Sequence, residues 1–67
     1  MITVTVNGQA VNIEGPLSVQ AFLEVRGINA RAIALAVNGE VLPRSEYAVR
    51  LLQEGDSLEV VRAVGGG

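Results

Sequence analysis

The stretch ITVTVNGQAVNIE, residues 2–14, leaves little freedom of local structure. Ile2, Val4 and Val6 alternate with Thr3 and Thr5 at period two, which suits a half-buried strand rich in β-branched residues. Asn7-Gly8 follows at once. A type I′ turn needs positive φ at both central positions, and Asn-Gly is the pair that best tolerates this. Val11 and Ile13 then resume the apolar face on the return. The pattern predicts a β-hairpin with one buried side.

Gly15-Pro16 ends that hairpin. Ser18 can accept a hydrogen bond from a free backbone amide, and Val19, Phe22 and Leu23 follow on one helical face. Leu17 stands at staple spacing from Phe22. Arg26 suits the negative end of a helix dipole, and Gly27 can take the left-handed conformation that stops it. The spacing predicts one main helix near residues 18–26. AIALAVNGEVL then reads as strand, turn and strand around Asn38-Gly39, with Ile33, Leu35 and Val37 on one face and Ala34 and Ala36 on the other. Pro43 closes this segment. RSEYA, short and polar, predicts a single helical turn capped by Ser45; LQEGD predicts a turn. SLEVVRAV predicts a last strand with Leu58 and Val60 inward and Glu59 and Val61 outward. One amphipathic helix over one sheet face is an α+β arrangement.

Sixty-seven residues give room for one core, and a chain of this size buries only about 60% of its unfolded surface. With 49% hydrophobic residues the composition is globular rather than disordered. Cys, His and Lys are all absent, which removes thiolate and amine nucleophiles, an imidazole base and most zinc sites. The positive charges are all arginines, at 26, 31, 44, 50 and 62, and net charge is −2. Without a basic cluster, nucleic acid is not an expected partner. No apolar run approaches the roughly 20 residues that cross a bilayer, and no leader pattern opens the sequence, so no membrane partner and a cytoplasmic location are expected.

Three features could carry function. Glu54-Gly55-Asp56 places two carboxylates around a glycine, which is ordinary turn chemistry and offers no further metal ligand nearby. Val61, Ala63 and Val64, with Ala34 and Ala36 beside them, could form a flat apolar docking face or simply be ordinary apolar surface. The ending Gly65-Gly66-Gly67 admits three readings: a linker remnant, a frayed terminus, or an arm that carries the terminal carboxylate into another protein. Extended, three residues reach about 10 Å. Glycine has no Cβ to obstruct a narrow channel, and a terminal carboxylate is ionised at neutral pH and unreactive toward nucleophiles until activated.

VNGEVLPR (residues 37–44) and GDSLEVVRAVGGG (residues 55–67), with the Asn-Gly turn and the short body, resemble the ThiS-type sulfur carrier proteins of thiamin biosynthesis. The resemblance covers the whole chain. It implies a β-grasp, ubiquitin-like fold: a mixed sheet of about four to five strands on the helix near 18–26, a single domain over 1–64, and a flexible reactive tail over 65–67. It implies no enzyme activity and no bound cofactor. The Gly67 carboxylate would be adenylated by a ThiF-type adenylyltransferase using ATP and magnesium, with Gly66 threading the partner's channel. Sulfur from a cysteine desulfurase-derived donor would displace AMP, and thiazole synthase would take it from the resulting thiocarboxylate. Gly65 lengthens the arm, and Val61, Ala63, Val64 and Gly65 are candidates for partner docking. The free protein is expected to be a monomer.

Two alternatives accompany this expectation. A molybdopterin-type or shared-pathway carrier has the same fold and tail chemistry with another acceptor, although the short body and VNGEVLPR favour thiamin. A non-reactive β-grasp interaction module would make the glycines incidental.

Overall fold

The computed structural model describes residues 1–62. The hairpin forms where the alternation places it: β1 (Ile2–Val6) and β2 (Gln9–Ile13) run antiparallel, with Ile2 opposite Ile13 and Val6 opposite Gln9. Asn7 and Gly8 have φ of 50° and 85°, as a type I′ turn demands. Val4 is fully buried, while Thr3 and Asn12 lie on the opposite face and share a 2.8 Å side-chain hydrogen bond.

A two-residue strand, β3 (Leu17–Ser18), leads into α1 (Val19–Val25), matching the helix expected near 18–26. Ser18 is its N-cap and accepts from the Ala21 amide at 3.0 Å. The other end closes as a Schellman motif: Gly27 N–H donates to Glu24 O and Ile28 N–H to Leu23 O, with Gly27 at φ 73°. The Arg26 guanidinium lies over the Phe22 ring, 5.5 Å from its centroid. After a 3₁₀ turn at Ala30–Ala32, β4 (Ile33–Val37) and β5 (Glu40–Val41) make the second hairpin around Asn38-Gly39. Ile33, Leu35 and Val37 are buried, Ala34 is exposed and Ala36 half-buried, as the pattern predicts.

Two expectations need correction. The turn at Arg44–Glu46 has Pro43, not Ser45, at its N-cap position and no side-chain cap. Pro43 fixes the entry with φ −64° and the Glu46 amide donates to its carbonyl, so Ser45 falls inside the turn, where its hydroxyl caps nothing. Leu52, grouped with the LQEGD turn, instead belongs to β6 (Leu51–Leu52), which pairs with β3 and buries the Leu52 side chain completely. Tyr47, in a segment that reads as polar, is also core.

The last strand, β7 (Ser57–Arg62), enters the middle of a five-stranded sheet of order β2-β1-β7-β4-β5. It runs parallel to β1, with Val6 opposite Leu58, and antiparallel to β4, with Leu35 opposite Val60. The sheet is therefore mixed. Val19, Phe22 and Leu23 of the helix close over Val4, Ile33, Leu35, Val37 and Leu58, with Tyr47 and Leu52 completing the core. The expected domain end at 64 lies outside the described residues.

Leu51 and Leu52 offer a direct test of this packing. Leu52→Ala is expected to lower the unfolding free energy by about 2–5 kcal/mol, because it opens a cavity that a small core cannot refill. Leu51, 47% exposed, is expected to tolerate Ala with a loss of less than about 1 kcal/mol. Urea denaturation of both variants gives the comparison.

Candidate functional site

The chain reaches its final five residues through β7, so the site is built on this strand. Val61 and Arg62 are its last described residues, while Ala63, Val64, Gly65, Gly66 and Gly67 lie outside them. Side chains alternate along β7 as expected. Leu58 is buried and Val60 half-buried on the helix side, while Glu59 and Val61 face away.

The face away from the helix is divided by chemistry. On β1 and β2 it carries Thr3, Thr5 and Asn12. Toward β4 and β5 it carries Ala34, Ala36, Val41 and Val61, and these form a shallow depression edged by Asn7 and Glu59. The register explains the grouping. Val61 lies opposite Ala34, and Ala36 lies between Glu59 and Val41 on its two neighbouring strands. Val61 is 61% exposed and Val41 79%. The structure thus brings together Val61, Ala34 and Ala36, three of the residues singled out for a docking face, and adds Val41. The sequence signal for Val41 was its odd position after Asn38-Gly39, which returns it to the Ala36 face.

Both ends of β7 are held by asparagine side chains, a feature the sequence pattern does not reveal. At the exit end Val60 N–H donates to Asn7 Oδ1 at 2.8 Å, and Asn7 Nδ2 donates to Val60 O at 3.2 Å. At the entry end Ser57 N–H donates to Asn38 Oδ1 at 2.9 Å, and Asn38 Nδ2 donates to Asp56 Oδ1 at 3.0 Å. In the sequence both residues read only as turn formers. The available signal was that both turns open with Asn, whose side-chain amide can both donate and accept.

The Glu54-Gly55-Asp56 carboxylates are engaged in the turn itself. Glu54 Oε1 accepts from the Thr3 amide at 3.0 Å, Asp56 Oδ2 accepts from the Gln53 amide at 2.9 Å, and Arg50 stands 3.7 Å from Asp56. Among the described residues there is no group of three or more acidic, His or Cys side chains placed to hold a metal ion. No described helix is long and apolar enough to cross a membrane. The described body offers a flat apolar face beside a strand that leads to the chain end.

The sequence model of the ThiS family matches residues 4–67. The chain is 37% identical over 62 residues to a thiazole synthase from Paramagnetospirillum magneticum, covering 92% of this chain but only 19% of that protein. It is 30% identical to the sulfur carrier protein ThiS of Escherichia coli, covering 91% of this chain and 92% of the relative. The fold superposes on a crystal structure of the thiamine biosynthesis protein ThiS from Geobacter metallireducens with a TM-score of 0.86 and 30% identity, over 98% of this chain and all of the other. The mixed five-stranded sheet closed by a single helix is thus the β-grasp fold, and with a family match running from β1 to residue 67, the chain belongs to the ThiS family.

Proposed function

We propose that this protein is a sulfur carrier of thiamin biosynthesis and that the Gly67 carboxylate is its reacting group. One observation carries the reading: the family match extends through Gly65-Gly66-Gly67, so the glycine ending belongs to the family pattern. The name of the Escherichia coli relative supplies the carrier role. The residue inventory agrees. With no Cys, His or Lys, the chain has few side chains suited to acyl chemistry of its own, and it acts as a co-substrate of other enzymes.

The chemistry follows from the poor electrophilicity of a carboxylate. An oxygen of the Gly67 carboxylate attacks the α-phosphorus of ATP, the bond to the β-phosphate oxygen breaks, and pyrophosphate leaves. Magnesium and a ThiF-type adenylyltransferase supply charge neutralisation and positioning for this step. A sulfur nucleophile, drawn from a cysteine desulfurase-derived donor, then attacks the acyl carbon. With hydrosulfide the C–S bond forms as the C–O bond to AMP breaks, giving thiocarboxylate, AMP and a proton. Gly66 and Gly65 serve this exchange by fitting a narrow channel without side chains.

Thiazole synthase is the acceptor in this scheme. The thiazole synthase relative, of which this chain matches only a fifth, supports that assignment: it joins a segment like this chain to further sequence in one polypeptide. Val61, with Ala34, Ala36 and Val41, forms the face on which partners dock. Ala63, Val64 and Gly65, which follow in the sequence, are further candidates for contact with the partner.

Incubation with a ThiF-type adenylyltransferase, MgATP and sulfide is expected to replace one oxygen by sulfur in the intact mass. Deleting Gly67, or adding a residue after it, is expected to abolish that change while the circular dichroism spectrum stays the same. Charging of the extended chain at the original rate would contradict the role of Gly67, and an uncharged wild type would favour the interaction module.

The docking face makes a separate prediction. Val61→Asp is expected to change stability by no more than about 0.5 kcal/mol, since the side chain faces solvent. It should weaken binding to the adenylyltransferase about tenfold, the scale of losing one well-buried interface residue. Calorimetric titration of both proteins measures it.

A further inference from the structure

Asn7 is the feature that neither the turn nor the family match accounts for. Along the β1 side of β7, the ladder is carried by Thr5 N–H to Asp56 O and Asn7 N–H to Leu58 O, both at 2.9 Å. Residues 56, 58 and 60 therefore turn their backbone groups toward β1. Strand β1 ends at Val6, and Asn7, at φ 50°, directs the chain away into Gly8. The next rung, at Val60, has no β1 backbone left to meet it. The Asn7 side chain fills that place, because its carboxamide offers one acceptor and one donor in the geometry of a peptide group. It accepts from Val60 N–H and donates to Val60 O. The sheet is thereby extended one rung past the end of its own strand, two residues short of Arg62.

We infer that Asn7 is a positioning residue for the reactive tail: its side chain fixes the end of β7 from which residues 63–67 depart. This rests on the reading of Gly67 as the reacting group. Without the clamp, the exit end of β7 is held only from the β4 side, where Ile33 lies opposite Arg62 and Leu35 opposite Val60. The root of the tail then spends part of its time away from the sheet. A partner that recognises both the body and the tail meets a smaller fraction of competent molecules, and its apparent affinity falls by that fraction. The bond-making step, which takes place after capture, is unchanged.

The second asparagine provides a control within the same molecule. Asn38 clamps the entry end of β7, also from a type I′ position, at φ 52°. Glycine tolerates that backbone conformation in either turn, so Asn7→Gly and Asn38→Gly each remove a clamp without straining a turn.

The test measures adenylation of wild type, Asn7→Gly and Asn38→Gly by a ThiF-type adenylyltransferase with MgATP, at a temperature where circular dichroism shows all three folded. Asn7→Gly is expected to raise KM for the carrier about tenfold, the scale of two lost hydrogen bonds at a strand end, with kcat unchanged. Asn38→Gly is expected to leave both constants unchanged. Amide exchange at Val60 and Val61 should accelerate in Asn7→Gly and not in Asn38→Gly. If Asn7→Gly does not fold, Asn7→Asp, which keeps the acceptor and loses the donor, carries the same comparison with a smaller rise in KM. Equal KM values for the Asn7 variant and wild type, or an equal rise in the Asn38 variant, overturn the positioning role alone. Failure of the wild type to be adenylated overturns the carrier reading, and the role of Asn7 with it.

Discussion

The pairing of β7 between β1 and β4 is the constraint on which the rest of the molecule depends. The strand that comes last in sequence lies third in a sheet of five, so the sheet is complete only when the end of the chain enters its middle. Leu58, fully buried on this strand, meets the layer formed by Val4, Leu35 and the helix side chains Phe22 and Leu23. The two hairpins are local and need only their Asn-Gly turns. The parallel contact between β1 and β7 joins the two ends of the chain and has no local alternative, so it closes the fold. Arg62, the last described residue, is still part of this central strand, opposite Ile33 of β4.

This arrangement suits a carrier. The helix, the core and both hairpins support one strand, and among the described residues no three acidic, His or Cys side chains are grouped to hold a metal ion. The face away from the helix is uneven in a useful way: polar on β1 and β2, and lined by small apolar side chains on β4, β5 and β7. Small side chains on a flat sheet permit close approach by a partner and require little ordering of long side chains on binding. In the proposed function, binding and chemistry are separated along the chain, with recognition on the sheet face and reaction at Gly67.

Much of the fold was legible because its elements obey simple periods. The alternation at Ile2–Val6 and Ile33–Val37 named the buried faces correctly, and Ser18 and Gly27 marked both ends of the helix. The failures come from elements too short to show a period. Strand β6 has two residues, so Leu52 read as part of the turn that follows. Tyr47 stands among polar neighbours, and its burial depends on tertiary packing. Ser45 lost the capping position to Pro43 through chain geometry that composition does not carry. In the candidate site, Val61 and Ala34 were legible by parity alone, and Val41 only through register. The clamps made by Asn7 and Asn38 were hidden, since they join residues 53 and 19 positions apart in the chain. The ThiS resemblance came from motifs spread along the whole chain, and the family match from 4 to 67 bears it out.

The central claim is that this chain delivers sulfur to a thiazole-forming acceptor. It is tested most directly by single turnover: the purified thiocarboxylate form is mixed with a thiazole synthase and that enzyme's other substrates, and the carrier's intact mass is followed with time. The thiocarboxylate is expected to return to the carboxylate as thiazole forms, in equal amounts, and to persist when the synthase is omitted. A thiocarboxylate that survives while the synthase is competent with another carrier would contradict it.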